Sequence, residues 1–156
     1  MNSPPAAFVE HRIETLAPTF VAFGVAIDFL ARISPFSDRP VGEFVPAVRR
    51  QVVRSEHVAM LRGDEMVGYL GWLPTSQAIA AGWVAGSAPL TPCEGAGADA
   101  VALTVVATTG GRPVAPLIRA ARDLNPGRRV FFQRSYPGGA RASRRAAVLN
   151  RGSGRS

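Results

Sequence analysis

Two rhythms of apolar and polar positions divide the chain into helices and strands. Across 17–33 the apolar residues Phe20, Phe23, Val25, Ile27, Leu30 and Ile33 recur at mixed three- and four-residue steps. That spacing predicts a helix buried over much of its circumference. Asp28 and Arg32 are placed to pair on its wet face, and Pro35 ends it by pushing Ser34 out of the helical region. Over 40–54, Val41, Phe44, Val45 and Val48 form a second stripe that Val52 extends, with Arg49, Arg50 and Arg54 on the exposed C-terminal side. Pro46 sits too far in for a first turn, so this helix is expected to begin near Phe44.

The pattern then changes. His57-Val58-Ala59-Met60-Leu61 is apolar and bounded by charge, Arg62-Gly63-Asp64-Glu65 supplies turn chemistry, and residues 66–72 return as an apolar, aromatic strand. Two strands alone do not hold together in water, so this hairpin needs helices packed on it. Thr75-Ser76 caps a short helix to about Val84, and a Gly-, Ala- and Pro-rich loop follows to Gly97. Residues 100–107 (AVALTVVA) read as a strand covered on both faces. A Thr-Thr-Gly-Gly turn leads into a helix over 112–124, with Val114, Leu117, Ile118 and Ala121 inward. Asn125-Pro126-Gly127 stops it before a last strand at 128–133. The order α-α-β-β-α-β-α-β, with a hairpin and a crossover, predicts an α/β (α+β) domain built on one mixed central sheet flanked by helices. Residues 1–16 read as a loose arm, 17–135 as the domain and 136–156 as a basic, disordered tail.

At 156 residues the chain is long enough for one domain with a substantial core. No apolar run approaches the roughly 20 residues that span a bilayer. The start lacks the basic-then-apolar pattern of a secretory leader. The single cysteine, Cys93, excludes an internal disulfide and fits a reducing compartment, so a cytoplasmic protein is expected. The net charge of +7 comes entirely from arginine, since there is no lysine. Such a surface favours acidic partners, although the cluster Arg141, Arg144, Arg145, Arg151 and Arg155 also reads simply as a solvated tail. Nucleic acid rests on charge alone and is not the expected partner. No Cys/His set has metal-ligand spacing.

The layout and certain residues resemble the RTX toxin-activating (hemolysin-activating) lysine-acyltransferases. Ser34-Pro35 after the first helix matches that family's Ser-Pro, and Pro46-Ala47-Val48 matches its Pro-Ala-Ile. Residues 67–72 (VGYLGW) are similar to its Val-Ala-Tyr-Cys-x-Trp strand. Gly97 lies seven residues before Thr104, as the family's glycine lies before its aspartate. The resemblance implies a GNAT-like fold and transfer of a fatty acyl group from acyl carrier protein to lysines of an RTX-type protein, with no bound cofactor. A homodimer is left open.

The family's catalytic His falls at Ser37 and its catalytic Asp at Thr104, while its Ala-Pro-Phe-Gly appears as Ala107-Thr108-Thr109-Gly110. Transfer to lysine needs a proton acceptor and donors for the oxyanion, and neither hydroxyl is basic enough for the first task. The chain is therefore read as an acyltransferase or, alternatively, as a catalytically inactive relative that binds the acyl carrier or client protein. Candidate catalytic residues are Ser37, Thr104, Ser34 as a donor to the thioester carbonyl, and Asp38 beside them; Ser34 and Asp38 read equally as capping or turn residues. His57 reads as a strand-end residue before it reads as a base. Candidate substrate contacts are Tyr69, Gly97, Gly110, Gly111 and Arg112. Tyr69 reads as core first. The Gly-Gly-Arg turn before a helix resembles a phosphate-binding turn and stands where GNAT-like enzymes hold a pantetheine arm.

Overall fold

A computed structural model describes residues 10–133 and 147–149. The elements run β1 (His11–Glu14), α1 (Phe20–Ala31), a 3-10 turn (Phe36–Asp38), α2 (Val41–Val53), β2 (His57–Arg62), β3 (Glu65–Thr75), α3 (Gln77–Ala85), β4 (Ala100–Thr108), α4 (Ala115–Asp123), β5 (Arg129–Phe132) and β6 (Ala147–Leu149). The six strands form one sheet in chain order. Pairing is antiparallel except between β4 and β5, which are parallel and joined through α4. The expected α/β architecture, a mixed sheet flanked by helices, is what the chain adopts.

The two faces of the sheet carry separate cores. Ala59, Leu61, Tyr69, Val105 and Ala107 pack with Phe29 and Leu30 of α1 and with Phe44, Val48 and Val52 of α2. Val58, Val67, Leu70, Trp72, Val101 and Leu103 pack with Leu117 and Ala121 of α4. Thr19 caps α1 through its side chain, Ser76 caps α3, and Gly86 ends α3 in the left-handed region that glycine enters without strain.

Four sequence expectations change. The first helix, expected to be buried over much of its circumference, buries Ala26, Phe29 and Leu30 but leaves Phe20 and Val25 exposed. Residues 11–14, assigned to the arm, are an edge strand paired with β2. Residues 147–149, assigned to the tail, form β6 on the far edge; the rest of 134–156 lies outside the described residues. The second helix starts at Val41 and carries Pro46 inside it. Its interior residues Phe44, Val48, Gln51 and Val52 are buried, so burial against the sheet outweighs the hydrogen bond the proline removes.

Candidate functional site

The β4–β5 ladder is short. It runs from Ala100 opposite Arg129 to Leu103 opposite Phe132, while β4 continues to Thr108. Beyond Leu103 a cleft of about 450 Å³ opens where the ladder stops. Its lining comes from β4 (Leu103, Thr104, Val106), the start of α4 (Val114, Ile118), the end of β5 (Phe132, and Gln133 just after it) and the 3-10 turn region (Pro35, Phe36, Arg39). Volume and apolar character suit a small-molecule chain. The turn is held in place because Phe36 is buried and meets Phe44 of α2 edge-to-face, with ring centroids 5.6 Å apart.

Thr104 is set apart from the rest of β4 by a bulge. Gly71 pairs with Val105 and Trp72 with Leu103, so Thr104 has no partner on β3. The bulge reverses the alternation of the strand. Val101 and Leu103 face the α4 core before it, whereas Val105 and Ala107 face the α1–α2 core after it. Thr104 is half-buried at the changeover. Its Oγ1 accepts a hydrogen bond from Gln51 Nε2 on α2 at 2.8 Å, and Gln51 Oε1 accepts one from the Tyr69 hydroxyl at 3.1 Å.

Gln51 reaches Thr104 only because Gly71 has no side chain. A methyl carbon on Gly71 would overlap Oε1 and Cδ of Gln51 and lie 2.6 Å from Nε2. Behind this network His57 is fully buried and stacked on Tyr69, with centroids 5.5 Å apart. The Leu16 amide donates to His57 Nε2 at 3.1 Å, so the proton sits on Nδ1, which lies 3.0 Å from the Gln51 carbonyl and donates to it. Burial lowers the imidazole pKa, with the Gln51 carbonyl opposing. Burial also raises the Tyr69 pKa, keeping the phenol protonated. Both rings serve the scaffold, and neither lines the cleft.

The sequence-derived candidates divide accordingly. Thr104 lines the cleft. Ser37 sits exposed on the turn that supplies Pro35, Phe36 and Arg39, without itself being a lining residue. Asp38 accepts from Ser34 Oγ at 3.1 Å and, more weakly, from Ser37 Oγ at 3.4 Å, so the three form a small exposed cluster. Tyr69 is fully buried and does not line the cleft.

Gly97 is also remote from the β4–β5 cleft. It lies exposed in the turn Gly95–Gly97, near the other end of β4. Gly110 and Gly111 both have positive φ and let the chain turn after β4. Arg112 is turned back rather than outward. Its Nη1 donates to the Thr109 carbonyl at 2.8 Å and its Nε donates to His11 Nε2 on β1 at 3.1 Å. The Nη1 and Nε of Arg112 are thus engaged by the loop and by β1. Among the described residues no helix is long and apolar enough to cross a membrane, and no group of three or more His, Cys, Asp or Glu side chains could hold a metal ion.

A second cleft of about 480 Å³ lies by the C-terminal end of α2 and is lined partly by Arg50, Arg54, Glu56, Cys93 and Glu94. Its charges pair among themselves, Arg50 with Glu56 at 3.0 Å and Arg54 with Glu94 at 2.6 Å. Desolvation raises the Glu56 pKa, and the Arg50 guanidinium works against that rise.

No family model and no curated protein matches the chain. Solved structures do. The loading GNATL domain of CurA from Lyngbya majuscula superposes with a TM-score of 0.54 at 13% identity, over 81% of this chain and 65% of that one. The GphF GNAT-like decarboxylase in complex with isobutyryl-CoA superposes with a TM-score of 0.54 at 18% identity, over 80% of this chain and 67% of that one. The fold is GNAT-like. The chain spans about two thirds of the length of these GNAT-like neighbours, and at such identities the likeness is one of fold. Sequence reasoning missed Gln51 on α2, whose strand partners Tyr69 and Thr104 lie 18 and 53 residues away.

Proposed function

We propose that the β4–β5 cleft takes the acyl-thioester arm of acyl carrier protein and that the chain passes the acyl group to lysine side chains of an RTX-type protein in the cytoplasm. The carrying observation is the cleft itself, a largely apolar cleft of about 450 Å³ whose polar wall residues are Arg39, Gln133 and Thr104, the last at a strand bulge. That GphF, of similar fold, is seen with isobutyryl-CoA supports an acyl thioester as the ligand class. In the reaction the lysine nitrogen attacks the thioester carbonyl and the tetrahedral oxyanion collapses. The C–S bond breaks as the C–N bond forms, and the amine proton is lost while the departing thiolate gains one. Donors in the cleft wall stabilise the oxyanion, and holding both partners together supplies the positioning part of the acceleration.

A second reading, a non-catalytic holder of the acyl carrier or client, is favoured by one observation. Among the described lining residues there is neither a histidine nor a carboxylate. The test is to incubate the purified chain with acyl-acyl carrier protein and an RTX polypeptide and to follow lysine mass gain. Acylation by the parent chain removes the holder reading. A silent parent that gains activity with Ser37→His and Thr104→Asp together supports it, with a gain of about 10²–10⁴-fold expected for restored acid–base chemistry. A silent parent and a silent double variant, with no binding of acyl carrier protein, would refute both.

A further inference from the structure

The polar atoms around Thr104 leave little freedom in how their protons are arranged. Tyr69 is fully buried and its hydroxyl has Gln51 as its partner. If the Gln51 amide were turned over, its NH2 would face the phenol oxygen and the phenol proton would be left buried without an acceptor, a costly state. The amide therefore turns its oxygen to Tyr69 and its nitrogen to Thr104. Thr104 Oγ1 accepts from that nitrogen, so its own proton points away from Gln51. Among the described residues that proton has no acceptor, while the side chain borders the cleft.

We infer that Tyr69 and Gln51 are positioning residues that preset the Thr104 hydroxyl as a hydrogen-bond donor to the carbonyl oxygen of a thioester held in the β4–β5 cleft. This rests on the acyl-thioester reading above and adds to it the group recognised and the residues that orient it. The bond costs no reorganisation when substrate arrives, and it strengthens as the carbonyl oxygen becomes an oxyanion. Neither Tyr69 nor Gln51 touches the ligand; they act only through the direction of the Thr104 proton.

The experiment compares acyl-pantetheine thioesters from butanoyl to hexadecanoyl, labelled with ¹³C at the carbonyl, with the matching alkyl-pantetheine thioethers that lack that oxygen. Binding and the carbonyl stretching frequency are measured on the full chain. The parent is expected to bind the thioester more tightly and to lower its carbonyl frequency. Thr104→Val should lose the lowered frequency and weaken the thioester by about five- to tenfold, the worth of one hydrogen bond, with the thioether unchanged. Thr104→Ser should retain both properties.

Tyr69→Phe lets the Gln51 amide turn over and accept the Thr104 proton. Gln51→Glu places an acceptor there directly. Both should lose the frequency shift although Thr104 is intact, and circular dichroism confirms that each variant is folded. A shift that survives in folded Tyr69→Phe and Gln51→Glu, or in Thr104→Val, overturns the inference while leaving thioester binding in place. A parent that binds none of the thioesters overturns the acyl-thioester reading, and this inference with it.

Discussion

Replacing Gly71 by alanine tests whether the polar network, rather than the strand backbone, sets the requirement for glycine. The new methyl would overlap the Gln51 amide, with Nε2 at 2.6 Å, and the groups it meets are the tip of a flexible side chain. The side chain can swing aside, so overlap alone is not the cost. Gln51 is 2% exposed, and moving it breaks the bonds to Tyr69 and Thr104 and strands the buried phenol. An orphaned buried donor costs about 1–3 kcal/mol, and each hydrogen bond contributes a net ~1 kcal/mol. Against this, alanine is favoured over glycine in a strand by about 0.5–1 kcal/mol. The net expectation is a loss of about 1–3 kcal/mol, or a melting temperature lower by very roughly 3–10 °C at this chain length. The decisive assay is a double-mutant cycle in urea. With Gln51→Ala already present, Gly71→Ala should be neutral or slightly stabilising, giving a coupling energy of about 2 kcal/mol. Equal destabilisation in both backgrounds would refute the reasoning, because the methyl would then be meeting something other than Gln51.

Three further outcomes follow from the same packing. His57 is kept neutral by burial, so its folded pKa lies below the unfolded value of 6.5. As pH falls through 6.5 the unfolded chain takes up a proton that the folded one refuses, so stability drops by up to about 1.4 kcal/mol per pH unit from this group. Urea midpoints that stay flat between pH 7.5 and 5.5 would contradict that assignment; Glu56, with its raised pKa, acts in the opposite sense on acidification. Arg50→Ala leaves the 10%-exposed Glu56 side chain without its guanidinium, and a loss of about 3 kcal/mol is expected on urea unfolding, together with a further rise of the Glu56 pKa followed by NMR titration. Val106→Trp fills the β4–β5 cleft from a half-buried wall position; it should abolish acyl-pantetheine binding while costing about 1–3 kcal/mol of stability, and undiminished binding by calorimetry would place the ligand elsewhere.

Long periodic segments were legible in the sequence. Hydrophobic spacing marks α2 and α4, which each bury one stripe at the helical period, and apolar runs mark the β2–β3 hairpin, β4 and α1, although Phe20 and Val25 of α1 stay exposed. β1 was not legible, since a four-residue strand whose residues are exposed or half-buried carries no hydrophobic alternation. The bulge at Thr104 was hidden too. AVALTVVA is apolar on both faces, and a strand without polar punctuation does not reveal where its alternation slips. Thr104 was found by position in a resemblance, not by chemistry. Gln51 was passed over as a polar residue in the arginine-rich end of α2, because its burial depends on a glycine 20 residues later that leaves room for it. For Arg112 the sequence shows a cation beside glycines but not the carbonyl and imidazole to which it donates.

The bond between Arg112 and His11 joins residues 101 positions apart, and it gives the amino-terminal strand a reach beyond its size. Trimming the chain at residue 15, as its polar start invites, would remove more than a fringe. The edge of β2, from Ala59 to Arg62, would be bared as an open template for other chains. The guanidinium would be released at the loop that leads into α4, one of the cleft's own walls. A shortened protein that clumps, or that handles acyl ligands differently, would be reporting the loss of that distant fastening.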